Sequence, residues 1–264
     1  SSSKTSILRV QDLQTYFPIR QGLLGRTVGF VRAVDGVSFV LNAGETLGLV
    51  GESGCGKSTL ARSLLYLHPP TGGRVWLKDT ELGVLSSTEL RKQRLRMQLI
   101  FQNPYASLNP RLTIEEIISS AACYHGHIRA SETQDFATKL LEQVGLRSEQ
   151  LKRLPHGLSG GQRQLIAFLR AYITQPNILI LDEATSSIDT YSEELIQKAT
   201  SILTKGKTSI IIAHRLATVK NADRIIVMDQ GQIVETGSHK ELMKLLDGHY
   251  AKLYEIQFAA ETPV

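Results

Sequence analysis

Cysteine is nearly absent from this chain: Cys55 and Cys123 are the only two in 264 residues. That excludes a disulfide framework and points to a reducing compartment. Long apolar runs are absent too, so no segment reads as crossing a bilayer and any work at a membrane requires a partner chain. There is no low-complexity segment or internal repeat, and the polar start "SSSKTS" carries no signal-peptide pattern. Aromatic residues make up only 6%. None is interleaved with the densest basic run, "RKQRLRMQ" from Arg91, which therefore reads as a solvated helix face and not as a nucleic-acid patch. A net charge of +5 is mild and permits anionic ligands without requiring nucleic acid.

What is present is ordinary globular material, 42% hydrophobic and 21% charged, long enough for one domain with an inserted subdomain. Cys123 reads as core filler. Strand-like segments "LQTYFPI" and "FVRAVDGVSFVL" flank a glycine-rich loop, "RQGLLGRTVG". The apolar strand "GETLGLV" then enters "GESGCGKS" and the helix "TLARSLLYL". Pro69-Pro70 and Gly72-Gly73 break that helix, "RVWLKD" returns as a strand, and a basic helix leads to "LIFQ". From Asn103 to about Gly157 the composition turns helical, with "TIEEIISSAACYHG" and "SETQDFATKLLEQVG", closing at Pro155. The remainder alternates: helix "QRQLIAFLRAYI", strand "NILILDE", helix "YSEELIQKATSIL", strands "TSIIIAHRL" and "RIIVMDQGQIVE", and a terminal helix from Lys240. Apolar strands alternating with helices predict a parallel sheet covered on both faces, an α/β fold.

Two stretches carry anion chemistry. Gly51-Glu52-Ser53-Gly54-Cys55-Gly56-Lys57-Ser58 fits G-x-x-x-x-G-K-[ST] between a strand and a helix. Its N–H groups can cradle phosphates, Lys57 can reach the β/γ oxygens and Ser58, followed by Thr59, can ligate magnesium. A thiol in such a loop, Cys55, is expected to react with alkylating agents and to be covered by bound Mg-ATP; a small residue that merely fits is the other reading. The second stretch is Leu158-Ser159-Gly160-Gly161-Gln162. Ser159 and Gln162 have the spacing of a capping box, and the two glycines suit a helix start whose N–H groups something approaches closely.

Three further strands end in polar residues, and ligands in open α/β sheets gather at the carboxyl ends of strands. "LIF" ends in Gln102, "ILIL" in Asp182-Glu183 and "SIIIA" in His214. Asp182 would hold magnesium, Glu183 would polarise the attacking water as general base, and His214 and Gln102 would position γ-phosphate, water and metal.

With these residues the chain resembles the ATP-binding subunit of ABC transporters over essentially its whole length, "LSGGQ" being that family's signature. The resemblance implies a P-loop NTPase (RecA-like) core with a parallel sheet, an antiparallel β-subdomain and an inserted α-helical subdomain. On that reading residues 1–102 and 157–264 form the nucleotide-binding core and 103–156 the helical subdomain. It implies that Gln102 is the Q-loop glutamine and also a metal ligand, that Ser187-Ile188-Asp189 is the D-loop with Asp189 at the nucleotide, and that His214 is the switch histidine. It also implies an aromatic stacking on adenine near the first strand. Phe17 matches best and Tyr16 second, with a core strand aromatic as the plain alternative.

From Leu8 to about His156 the chain resembles dipeptide and oligopeptide importer ATPases, as in "FPIRQGLLG" and "FQNPYASLNPRLTI". From about Leu158 it resembles exporter nucleotide-binding domains, and the C-terminal extension expected of peptide importer ATPases is missing. A recombined or engineered chain and a divergent natural member both fit that switch. The resemblance implies ATP and Mg2+ as cofactors, a second ATP-binding subunit and transmembrane permease subunits as partners, no nucleic acid, and a place on the cytoplasmic face of the membrane. The permease-docking region, about 101–157, is importer-like, which favours peptide uptake. An exporter domain, or a chimera that binds ATP without driving transport, is the alternative. Soluble ABC ATPases of DNA or ribosomes are disfavoured, since no coiled-coil insertion, zinc module or second cassette is present.

Overall fold

The computed structural model describes residues 5–22, 26–100, 108–124, 129, 132–182, 190–213 and 215–261. They form two compact units, Ser1–Met97 with Thr208–Val264, and Gln98–Lys207.

In the first unit, β1 (Ser6–Gln21) and β2 (Arg26–Asn42) pair as a long antiparallel hairpin, taking in most of the expected glycine-rich loop as strand. β4 (Gly72–Leu77) pairs antiparallel with β1, and β5 (Thr80–Glu81) completes a sheet of order β2-β1-β4-β5. Gly72 and Gly73, expected with Pro69-Pro70 to break the helix, lie beyond its end at Leu64 and open β4, where Gly72 pairs with Gln14. The antiparallel β-subdomain is present as expected.

β3 (Thr46–Val50) runs parallel to both β8 (Thr208–Ile212) and β9 (Arg224–Asp229). Their runs are buried almost throughout, the pattern a parallel sheet demands. "RIIVMDQGQIVE", expected as one strand, is two: β9 turns into the antiparallel β10 (Gln232–Gly237). Gln230 and Gly231 both have positive φ, +45 and +81, the twist of a two-residue hairpin turn.

α1 (Lys57–Leu64) follows β3. α2 (Ser87–Arg94) opens with a Ser86–Glu89 capping box and buries no residue, so the basic run is a solvated face. Arg94 is the exception, its guanidinium donating to the carbonyls of Leu65 and Tyr66 beyond α1. The terminal helix is divided into α7 (His239–Leu242) and α8 (His249–Glu261), with Glu235 of β10 accepting from the first N–H groups of α8.

The second unit opens at Gln98 within β6 (Met97–Ile100), which is adjacent to the fully buried β7 (Ile178–Asp182). Its helices are α3 (Ile114–Tyr124), α4 (Thr133–Gln143), α5 (Gly160–Thr174) and α6 (Thr190–Thr204). α5 is the centre, packing on α3 and α6 and burying Leu165, Ile166, Phe168 and Leu169. Cys123, expected in the core, is exposed. The buried stripe of α3 is Ile114, Ile117, Ile118 and Ala122, at helical spacing, and Cys123 lies one step off it.

Candidate functional site

The loop from Gly51 to Ser58 leaves the carboxyl end of β3 and enters α1 with Gly56 in the N-cap position, φ +105. Packing dictates the two outer glycines. A Cβ on Gly51 (φ +148) would stand 2.2 Å from the Met228 carbonyl oxygen of β9, and one on Gly56 2.0 Å from that of Ala33 in β2. Both neighbours are backbone and cannot swing aside, so any side chain forces the loop out of shape.

Two supports of this loop were not foreseen from sequence. Gly231 donates its N–H to the Cys55 carbonyl (3.1 Å), and its own carbonyl accepts from the Asp35 N–H (2.9 Å). The β9–β10 turn thereby ties the loop to β2. The one signal was the Gln-Gly dipeptide, which reads as a turn only once β9 and β10 are separated.

Inside the loop, the Lys57 ammonium donates to the carbonyls of Gly51 (2.7 Å) and Glu52 (2.8 Å) and lies 3.5 Å from Cys55 Sγ. Lys57 is only 6% exposed, and among the described residues no carboxylate pairs with it. A buried cation without a counter-ion is costly, and the first residue of a helix, at the positive end of its dipole, is a poor place for one. An anion set against the loop relieves both penalties, so the geometry is that of a preorganised anion cradle. Ser53 and Gly54 are exposed on its rim, and Ser58 and Thr59 are half-buried at the start of α1.

Cys55 is 6% exposed, its sulfur only 2.7 Å from where a Gly51 Cβ would sit. This burial favours the other reading, a small residue that fits the inside of the loop, over the expected reactivity. Iodoacetamide is expected to modify the exposed Cys123 quickly and Cys55 roughly tenfold or more slowly, even without nucleotide. Mass spectrometry of the time course, peptide by peptide, checks this.

Asp182 closes β7 and is 3% exposed. In the same unit Ser159 caps α5 in the anticipated capping box. Its hydroxyl accepts from the Gln162 N–H (3.2 Å), and Gln162 Oε1 accepts from the Ser159 N–H (3.1 Å). Gly161 is buried behind the cap, whereas a Cβ on Gly160 would meet nothing within 4 Å.

Phe17 is 38% exposed on β1, so it is not a core aromatic, and it meets His68 edge to face at 5.7 Å. Tyr16 is engaged otherwise: its hydroxyl donates to Asp35, and the Arg32 guanidinium lies 5.5 Å from its ring centroid. That hydrogen bond, with the Asp35 charge beside it, holds the Tyr16 hydroxyl above its ordinary pKa and the Asp35 carboxyl below its own. Gln102, Glu183, Asp189 and His214 lie outside the described residues.

The ABC transporter family model matches residues 34–186. The oligopeptide transport ATP-binding protein AppF of Bacillus subtilis is 42% identical over 245 residues, 91% of this chain and 74% of its own length. OppF of Salmonella typhimurium, also an oligopeptide transport ATP-binding protein, is 41% identical over 89% of this chain and 72% of its own. The glutathione import ATP-binding protein GsiA of Shigella boydii is 42% identical over 90% of this chain, which spans only 39% of that protein. Alignments of this coverage necessarily cross residue 157, so single relatives match both sides of it and lend no support to a composite chain. Among solved structures, the ATP-binding cassette MJ0796, dimeric in a post-hydrolysis state with ADP and Pi, superposes with a TM-score of 0.76. It is 25% identical over 88% of this chain and 98% of its own. The fold is therefore that of a P-loop NTPase cassette, and the chain belongs to the ABC transporter family as one of its ATP-binding proteins.

Proposed function

We propose that this chain is the magnesium-dependent ATPase subunit of a membrane transporter that takes up dipeptides or oligopeptides. The observation that carries the ATPase reading is the cradle with Lys57 buried in it; relatives that are peptide-transport ATP-binding proteins support the substrate class. In this reading Gly51, Ser53, Gly54, Cys55, Gly56, Lys57, Ser58 and Thr59 wrap the phosphates, and Phe17 stacks on adenine. Phe17 is preferred to Tyr16 because the Tyr16 ring already faces Arg32.

Ser58, Gln102 and Asp182 carry the hard oxygen donors that would hold magnesium, and the buried Asp182 carboxylate suits a divalent cation better than solvent. Bound there, the ion would neutralise charge on the β- and γ-phosphates. Glu183 takes the proton of the attacking water, with Gln102 and His214 holding water and γ-phosphate in line. Ser159, Gly161, Gln162 and Asp189 serve the nucleotide of a second ATP-binding subunit. Permease subunits supply the membrane path and dock on the region of about 101–157. The working place is then the cytoplasmic face of the membrane; among the described residues no helix is long and apolar enough to cross it.

The test has two arms. The purified chain should hydrolyse ATP with magnesium and lose turnover on chelation with EDTA. Expressed in a bacterium that lacks its dipeptide-importer ATPase, it should restore growth on a dipeptide supplying a required amino acid. Hydrolysis without restored growth would retain the ATPase and remove the peptide substrate; no hydrolysis would remove both.

A further inference from the structure

The far end of the β1–β2 hairpin lies beyond Phe17, the residue proposed for the adenine. Pairing of β1 with β4 stops at Gln14, whereas pairing with β2 continues to Gln21 opposite Arg26. Beyond Phe17 on β1 and before Ala33 on β2, the described residues are exposed except the half-buried Gly29. This is a two-stranded ribbon, and such a ribbon alone in water is marginal.

Its composition is wrong for water on both faces. Val28 and Phe30 alternate on one face, 56% and 61% exposed; Val31, at 52%, belongs to the other, and Ile19, at 45%, pairs with Gly29 there. Its charge is also one-sided: no acidic residue occurs from Leu13 to Val34, while Arg20, Arg26 and Arg32 do. Arg32 is taken by Asp35 at 3.5 Å, but among the described residues Arg20 and Arg26 have no acidic partner.

We propose that this ribbon is a membrane-contact element that lies in the interfacial layer of an anionic phospholipid bilayer. Two observations choose lipid over a protein partner. Apolar side chains stand out on both faces, and a rigid protein surface covers one face of a ribbon whereas the fluid interfacial layer wraps both. The exposed, unpaired arginines match phosphate headgroups, and their aliphatic stems can lie along apolar surface while the guanidinium reaches out. Apolar insertion together with cationic attraction is the combination that holds a peripheral element at a bilayer. The contact needs no permease and would orient the cassette before or after docking.

The test uses the full chain and vesicles of phosphatidylcholine, pure or mixed with phosphatidylglycerol, read by co-sedimentation. The unaltered chain should partition onto mixed vesicles, weakly onto pure phosphatidylcholine, and less at high salt. Arg20→Gln with Arg26→Gln should lower partitioning about 25-fold, roughly fivefold per charge. Val28→Ser with Phe30→Ser should also lower it severalfold on the same vesicles. Both double variants should keep the ATP affinity of the unaltered chain, which certifies their fold. Failure to partition, equal partitioning onto pure phosphatidylcholine, or indifference to both double variants overturns the proposal. Binding that appears only when the vesicles carry a permease, and is lost in these variants, assigns the ribbon to a protein surface and overturns it equally.

Discussion

Glu183→Gln binds ATP as tightly as the unaltered chain and hydrolyses it about a hundredfold or more slowly. The two halves of this expectation have separate physical origins. On the proposed reading, affinity resides in the loop built on β3 and α1, where glycine backbone and the buried Lys57 would provide the counter-charge for phosphate. As the proposed general base Glu183 would contribute nothing to that balance, and glutamine preserves its size. What glutamine cannot do is accept the proton of the attacking water, and a positioned general base is worth roughly 10²- to 10⁴-fold in rate. A substitution that lowers kcat with the dissociation constant unchanged has removed an interaction made only on the way to the transition state. Lys57→Ala should show the opposite pattern, losing affinity first. Equilibrium titration with a fluorescent ATP analogue and single-turnover hydrolysis separate the two. Near-normal turnover in Glu183→Gln would take this residue out of the mechanism.

The parts of this protein that could be read beforehand are those in which local chemistry and tertiary need coincide. The capping box at Ser159 and Gln162 is a purely local device, two residues three apart satisfying each other's N–H groups, and it forms as spaced. The phosphate loop was legible because its glycine spacing reports two backbone collisions, at Met228 and Ala33, that the letters already encode. The continuous apolar runs of β3, β7 and β8 announced a sheet buried on both sides.

What could not be read depends on neighbours distant in sequence. The Gln230–Gly231 turn hides between two β-rich runs, Arg224–Asp229 and Gln232–Gly237, and its role as a strut under Cys55 exists only because β9 lies beside β3. The burial of the Cys55 thiol follows from the way the loop curls over Gly51, which the motif does not state. Cys123 is a different case, a misjudgement of phase: the periodicity of α3 already set it one position off the buried stripe. The end of the antiparallel ribbon, from Arg20 to Gly29, looked like a loop because glycine and arginine are frequent there, yet cross-strand pairing of Arg20 with Thr27 and Gln21 with Arg26 holds it extended.

The second large effect concerns the start of α5. One cradle per chain holds one ATP, so a second anion-ready helix start is redundant within a monomer. It gains a purpose if it reaches the γ-phosphate of ATP held by another copy. The open space over Gly160 suits that reading, since nothing of this chain would be displaced by a Cβ there, and the helix would be steadier by about 1 kcal/mol with alanine. A glycine kept where the chain does not need it leaves room for something outside the chain. Two copies facing head to tail would form two shared sites, each with one phosphate loop and the other copy's Ser159, Gly161 and Gln162.

Mixing two defective chains tests this arrangement. Lys57→Ala spoils the cradle and leaves the α5 start intact. Ser159→Arg does the reverse, removing a cap worth about 1 kcal/mol and placing a cation at a positive helix end. α5 survives that loss because its stability rests on the buried Leu165, Ile166, Phe168 and Leu169. In the mixed dimer one site collects both defects and the other both sound halves. ATP-dependent association, or one turnover from the restored site, should therefore reappear in the mixture and in neither variant alone. Single turnover is the better readout, because it needs only the one restored site. If mixed dimers demonstrably form, each variant is folded by circular dichroism, and mixing restores nothing, then Ser159 serves only as the cap of its own helix.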